Sequence, residues 1–199
     1  CHDSGAANVW DAATGAVVAT LPIEGFVLAM ALQPARADAS GAMQNRLVAL
    51  ATDAGVVRVY TMPRGGDAGG ELVAEARCNG GIRTVAFSPD GSLLATGASD
   101  RTARLWRIDG LRAQATAVEA SSGAAANPRA TGSLPQLREA AMLPGHDGAV
   151  MCVQFSRSGD RIATACYDGS LRVFDANSGE RLLRYETGGP MSSCSFAPN

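Results

Sequence analysis

Lysine does not occur in this chain, and all 17 basic residues are arginine. Schiff-base catalysis and lysine-type phosphate binding are therefore excluded within this stretch, because both need a primary ammonium group. The accompanying richness in Ala and Gly points to a GC-rich genome rather than to function. Cysteines at ligand or redox spacing are also missing. Cys1, Cys78, Cys152, Cys166 and Cys194 contain no CxxC pair, so the ligand spacing of a metal site is absent, and an odd number argues against a closed disulfide framework. There is no run of 18 apolar residues and no signal-peptide pattern. The chain does not start with Met, so the true N-terminus, with any targeting segment, is expected to lie upstream. A net charge of −2 gives no electrostatic reason to expect nucleic acid or an anionic membrane as a direct partner. No GxSxG or comparable nucleophile motif is present, and no catalytic residue or cofactor is expected.

With 46% hydrophobic and 18% charged residues, the composition is that of a soluble globular chain with a real core. Its pattern is clearest in residues 82–108. Three β-rich runs, Ile82–Ser88, Leu93–Gly97 and Thr102–Ile108, are separated by turns at Pro89-Asp90-Gly91 and Ala98–Arg101, which predicts an antiparallel meander. A sheet this small cannot bury both faces, so copies able to stack on it are expected. Aligning on the aromatic of the third run gives Ala-Asn-Val-Trp10, Val-Arg-Val-Tyr60, Ala-Arg-Leu-Trp106 and Leu-Arg-Val-Phe174, each preceded by an Asp: Asp3, Asp53, Asp100 and Asp168. The first run recurs at Leu32, Phe87, Phe155 and Phe196. Phe155 and Phe196 are 41 residues apart, close to the ~40–45 residues of one four-stranded blade. The spacings of 55 and 68 between the earlier members read as the same unit with insertions. Fourth strands are predicted over Ala16–Leu21, Glu71–Cys78, Leu137–Leu143 and Arg181–Glu186.

These units resemble the WD-repeat β-propeller family over nearly the whole chain. The resemblance is carried by Gly145-His146, the Phe-Ser-Pro-Asp-Gly run at Phe87–Gly91, Leu94-Ala95-Thr96-Gly97 with Ile162-Ala163-Thr164, and Trp10-Asp11 followed by Thr14-Gly15. Phe174-Asp175 followed by Ser178-Gly179 is a degenerate copy. It implies an all-β fold of four-stranded antiparallel blades, here read as a segment of a larger, about seven-bladed ring. The expected division is a partial blade at 1–21, a blade at 26–78, a blade at 82–143 with an insertion at 109–135, a blade at 144–186, and the first strand of another at 191–199. Remaining blades are expected from the same longer chain or from a partner chain. Pro34–Asn45 and Pro63–Gly70 read as loops, and 109–135 as a solvated spacer or a partner contact.

The resemblance also implies an internal hydrogen-bonded set in well-formed blades. His146, Thr164 and Asp168 supply it in one unit, where Phe174 stands in the Trp position. Thr96, Asp100 and Trp106 supply it in another, where Gly80-Gly81 stand in the Gly-His position. No unit is complete, so hydrophobic packing is expected to carry more of the blades than this network. His146 beside Asp147 reads as an oriented turn, not a catalytic dyad. Arg58, Arg104 and Arg172 read as solvated blade surface. Cys194, at the position of Val85 and Val153, reads as a small core hydrophobe in a reducing compartment. Binding is assigned to unrepeated loop residues, Arg83, Ser99, Arg101, Asp147 and Tyr167. The function implied is a non-enzymatic scaffold joining proteins in a large intracellular complex, cytoplasmic or in a cytoskeletal or nuclear assembly. The alternative is an adaptor recruiting a substrate or peptide, for example for a ubiquitin ligase or a chromatin or RNA-processing complex. Neither a metal nor a membrane is expected.

Overall fold

The computed structural model describes residues 6–35, 46–62, 70–108 and 136–197. Asp3, the 36–45 and 63–69 parts of two loops, and the insertion 109–135 lie outside the described residues. Within them the chain is all β. β1 (Ala6–Trp10) and β2 (Val17–Pro22) form a two-stranded sheet. Three four-stranded sheets follow: β3 (Val27–Leu32), β4 (Leu47–Thr52), β5 (Val56–Thr61), β6 (Leu72–Arg77); then β7 (Ile82–Phe87), β8 (Leu93–Ala98), β9 (Ala103–Arg107), β10 (Arg138–Leu143); then β11 (Val150–Phe155), β12 (Arg161–Cys166), β13 (Ser170–Asp175), β14 (Arg181–Glu186). Every neighbour is antiparallel and follows its predecessor in sequence.

The turns form for local reasons. After β1 and β13, a carboxylate closes the chain on itself: Asp11 Oδ1 accepts from Ala13 N and Thr14 N, and Asp175 Oδ1 from Asn177 N and Ser178 N. Gly15 (φ 70°) and Gly179 (φ 71°) then take the left-handed conformation that a Cβ disfavours. These turns explain why Asp, Thr or Ser, and Gly recur at that spacing.

Two irregularities recur in register. In all four sheets the outer strand carries one extra residue opposite the step into the third-strand aromatic: Val18, Val73, Ala140 and Leu182. In the three full sheets the inner strand carries one after its first residue: Leu28, Arg83 and Met151. Bulges bend a strand and re-aim a side chain, so the repetition gives each sheet the same curvature.

The sheets stack in chain order, and their cores lie between them. β4 alternates, with Val48 and Leu50 packing with Ala19, Leu21 and Tyr60 on one side. Leu47, Ala49 and Ala51 pack on the other side with Ile82, Val85, Phe87 and Trp106. Ala95, Ala103, Leu105 and Leu143 meet Val150, Val153, Phe155 and Phe174 in the same way.

The expected first strand of a further blade, 191–199, has no partner strand among the described residues. Residues 191–197 form no strand. They run along the far side of β11, held by Met191 N to Cys166 O at 3.2 Å and Phe196 N to the Gln154 side chain at 3.2 Å. A strand needs consecutive backbone pairs, and these bonds go instead to a strand end and a side chain.

Gly97 tests the packing between the third and fourth sheets. A Cβ there would stand 2.6 Å from Val150 Cγ1 and 2.7 Å from Thr84 Cγ2. Gly97→Ala is expected to lower stability by about 1–3 kcal/mol through overpacking, read as a lower urea midpoint at unchanged slope.

Candidate functional site

The β4–β5, β8–β9 and β12–β13 turns and the connections entering β3, β7 and β11 all open at the same end of their sheets. An Asp ties each turn to the neighbouring connection. Asp53 Oδ1 accepts from Phe26 N at 2.9 Å, Asp100 Oδ2 from Asn79 N at 3.1 Å, and Asp168 Oδ2 from Asp147 N at 3.0 Å. Asp100 and Asp168 also close their own turns through Thr102 N at 3.0 Å and Ser170 N at 2.9 Å.

Beneath these turns lie ion pairs, which corrects the reading of the recurrent arginines as solvated surface. Arg172 is wholly buried, its Nη2 2.9 Å from Asp168 Oδ2, and its Nη1 donates to Ser170 Oγ. Arg104 lies 3.6 Å from Asp100 and 3.5 Å from Glu139. Arg58 donates to Glu75 at 3.2 Å. Each arginine shares its face of the third strand with the aromatic two residues on, and that face packs toward the preceding sheet. The missed signal was the Asp-to-Arg spacing of four in two units. In the sheet starting at β3, Asp53 stands one residue earlier relative to the aromatic, so it bonds Phe26 N, and Arg58 takes its carboxylate from β6 instead.

The internal network is present in parts. His146 Nε2 lies 2.9 Å from Thr164 Oγ1, and its ring centroid is 5.8 Å from that of Phe174. Trp106 Nε1 donates to Thr96 Oγ1 at 2.9 Å, and the Tyr60 hydroxyl donates to Pro22 O. Trp10 is mostly exposed. The equivalence of Asn79 with Asp147, both donating to the turn Asp, corrects the alignment of Gly80-Gly81 with Gly-His. Cys78, not a glycine, occupies the place of His146, beside Thr96 and Arg104. Gly80 and Gly148 are the equivalent glycines, and a Cβ on either would meet the turn Asp nitrogen at 2.8 Å.

Burial pushes His146 down to about 4, helped by the Arg172 charge. Burial raises the Asp168 carboxyl, but bonds from Ser170, Asp147 N–H and Arg172 outweigh it and hold it well below the ordinary carboxylate value. A neutral imidazole and a paired carboxylate under a turn are structural chemistry, and they fix the backbone above them.

What stands above is exposed. Arg83 is the bulge residue of β7, turned outward between buried Ile82 and half-buried Thr84, and its Nε donates to Ser99 Oγ at 2.8 Å. Arg101 is exposed at φ 67°, where the other two full sheets have Gly55 and Gly169. Tyr167 is 62% exposed, and the Asp147 side chain is 78% exposed with Oδ2 4.0 Å from Arg172. The fold thus joins Arg83 to Ser99 and Asp147 to the Arg172–Asp168 pair, with Arg101 and Tyr167 on the turns between. Among the described residues no group of three or more His, Cys, Asp and Glu is placed to hold a metal ion, and no helix is long and apolar enough to cross a membrane.

Two measurements check the buried layer. Asp168→Asn leaves the buried guanidinium with only the exposed Asp147 carboxylate at 4.0 Å and is expected to cost about 3 kcal/mol, clearly more than Asp53→Asn, which breaks no ion pair. The second uses pH. The unfolded His146 binds its proton near 6.5 and the folded one only near 4. Stability from the neutral ring is therefore complete above about 6.5 and lost as pH falls toward 4. Roughly 2 kcal/mol should disappear between about pH 7.5 and 5, and His146→Gln should flatten that slope in urea titrations.

Residues 70–107 and 137–175 match the model of the family described as WD domain, G-beta repeat. Three relatives give the range of the likeness. The U5 small nuclear ribonucleoprotein 40 kDa protein of Dictyostelium discoideum is 28% identical over 116 residues, 58% of this chain and 26% of that protein. Coronin-7 of Homo sapiens is 31% identical over 136 residues, 55% of this chain and 14% of that protein. The ribosome biogenesis protein WDR12 homolog of Chlamydomonas reinhardtii is 29% identical over 157 residues, 77% of this chain and 30% of that protein. The chain spans less than a third of the length of each. Residues 70–107 and 137–175 are thus WD repeats, and the sheets that carry them, sharing one register of turns and bulges, have the form of propeller blades.

Proposed function

We propose that the protein is a non-enzymatic scaffold that holds other proteins together in an assembly, and that they dock on the face carrying Arg83, Ser99, Arg101, Asp147 and Tyr167. The observation that carries this reading is Arg101. A non-glycine residue at positive φ costs about 1 kcal/mol relative to glycine, and the two equivalent turns have glycine there. An arginine kept on an exposed turn against that cost fits a contact role. Tyr167 occupies the neighbouring turn, and Tyr and Arg are side chains enriched at interface hot spots. The names of the relatives from D. discoideum and C. reinhardtii, a small nuclear ribonucleoprotein component and a ribosome biogenesis protein, support membership of a multi-protein complex.

The mechanism is rigid display. Asp100 and Asp168 fix the backbone of the turns from below, so the side chains above lose little freedom on binding and the ordering cost of association falls. Arg101→Gly separates the two roles of its residue. It is expected to raise stability by about 0.5–1 kcal/mol while releasing partner proteins that copurify with the tagged full-length protein, and Tyr167→Ala should release them without a change in melting temperature. Full retention of partners by the double variant would overturn this assignment of the docking face.

A further inference from the structure

The inner strand of the fourth sheet carries a pair of cysteines that the docking reading does not use. In β11, Val150, Val153 and Phe155 pack toward the third sheet. The bulge at Met151 sets Cys152 and Gln154 on the opposite side, facing the segment 191–197. There the Cys152 thiol donates to Cys194 O at 3.7 Å, and Gln154 accepts from Phe196 N at 3.2 Å. Met191, Cys194 and Phe196 are half-buried, and the residues between Met191 and Phe196 other than Cys194 are exposed.

The same junction one sheet earlier shows why the sulfurs meet. Thr84 of β7 accepts from Val153 N at 3.3 Å. Counted back from Phe87, Phe155 and Phe196, Cys152 is the equivalent of Thr84, and Cys194 the equivalent of Val153. An inner-strand side chain that crosses to the next unit is thus a repeated feature, and here both ends of the crossing are thiols. We propose that Cys152 and Cys194 form an oxidative modification site, closing to a disulfide that fastens the segment 191–197 to β11 when the protein meets a hydroperoxide.

Chemistry within the pair favours one direction of attack. The Cys194 thiol hydrogen-bonds toward Cys152 and lowers it to about 6 despite burial, while Cys194 itself is raised by that neighbour and by burial. Cys152 is therefore the first of the two to give up its proton, and its thiolate then accepts from the Cys194 thiol, which keeps its own. The Cys152 thiolate attacks one peroxide oxygen and the O–O bond breaks. Cys152 becomes a sulfenic acid, and the second oxygen leaves as an alkoxide or hydroxide that takes up a proton, giving an alcohol or, from hydrogen peroxide, water. The Cys194 sulfur then attacks the sulfenic sulfur, its proton leaves with the hydroxide as water, and the S–S bond forms. Two thiols are oxidised and one hydroperoxide is reduced. Cys166 and Cys78 are both raised by burial and are poor competitors.

The test uses the full-length protein, reduced and then exposed to hydrogen peroxide under native conditions. Cleavage at Arg157, Arg161, Arg172 and Arg184 puts Cys152, Cys166 and Cys194 in separate tryptic peptides. The expected result is a Cys152–Cys194 cross-linked peptide without reductant, lost in urea before oxidation, with Cys152 consumed at least about tenfold faster than Cys166. In Cys194→Ser the sulfenic acid at Cys152 should persist and be trapped by dimedone. Oxidation of the wild type that leaves both cysteines free to alkylate, or that joins either to Cys78 or Cys166 instead, would overturn the proposal. So would equal reaction rates at Cys152 and Cys166.

Discussion

A four-stranded antiparallel sheet has two faces, and one neighbour can cover only one of them. Among the described residues every large buried cluster is shared between consecutive sheets, and none belongs to a single sheet. The alternation along β4 makes the dependence concrete: Leu47, Ala49 and Ala51 belong to one cluster, and Val48 and Leu50 to the one on the other side. Burial of apolar area, at roughly 25 cal/mol per Å², is then available only to the stack. The matched repeats run from β6 to β9 and from β10 to β13, so each begins with the outer strand of one sheet and ends inside the next. A covalent unit that straddles two sheets ties neighbours together by the chain itself as well as by packing.

The recurrent arginines of these interfaces each face a carboxylate. Arg172 with Asp168, Arg104 with Asp100 and Glu139, and Arg58 with Glu75 sit at one end of the sheets, under the turns. A buried ion pair contributes little net stability against an apolar replacement. What the pair supplies is geometry. Asp168 receives Ser170 N, Asp147 N and Arg172 together, so a turn, a connection and a strand meet at one carboxylate. The face above can change its side chains freely because its backbone is held from below. That division explains how Arg101 tolerates a left-handed backbone while the rest of its turn keeps the form of its neighbours.

Strand order and turn positions were legible in the sequence, because they depend on local periodicity and on turn residues such as Asp175, Ser178 and Gly179, which act within a few residues of chain. The outer strand Arg181–Glu186 was placed to the residue. Roles that depend on which side chains the strands and turns bring together were not legible. The arginines two residues before each aromatic read as surface because charge in an amphipathic strand usually faces water, yet each has a carboxylate within reach on its own sheet. The offset of Asp53 by one residue, and the substitution of Cys78 for histidine, became visible only when the hydrogen bonds from Phe26 N, Asn79 N and Asp147 N supplied a common reference. The segment 191–197 carries the pattern of a strand, but a pattern specifies a face to bury and not the backbone partner that makes it a strand.

The places where equivalent positions differ are therefore the informative ones. A side chain of each inner strand reaches toward the backbone of the segment that follows one unit later, Thr84 toward Val153 N and Cys152 toward Cys194 O. A threonine there can only hydrogen-bond, so the junction between the third and fourth sheets is set once the fold forms. A thiol in the same place meets the same geometric demand as a weak donor and adds a bond-forming option. The option exists because Cys194 stands where Val153 stands one unit earlier. Neither cysteine alone distinguishes this junction from its neighbour, and the pair arises from two substitutions at positions that the repeat had already brought together.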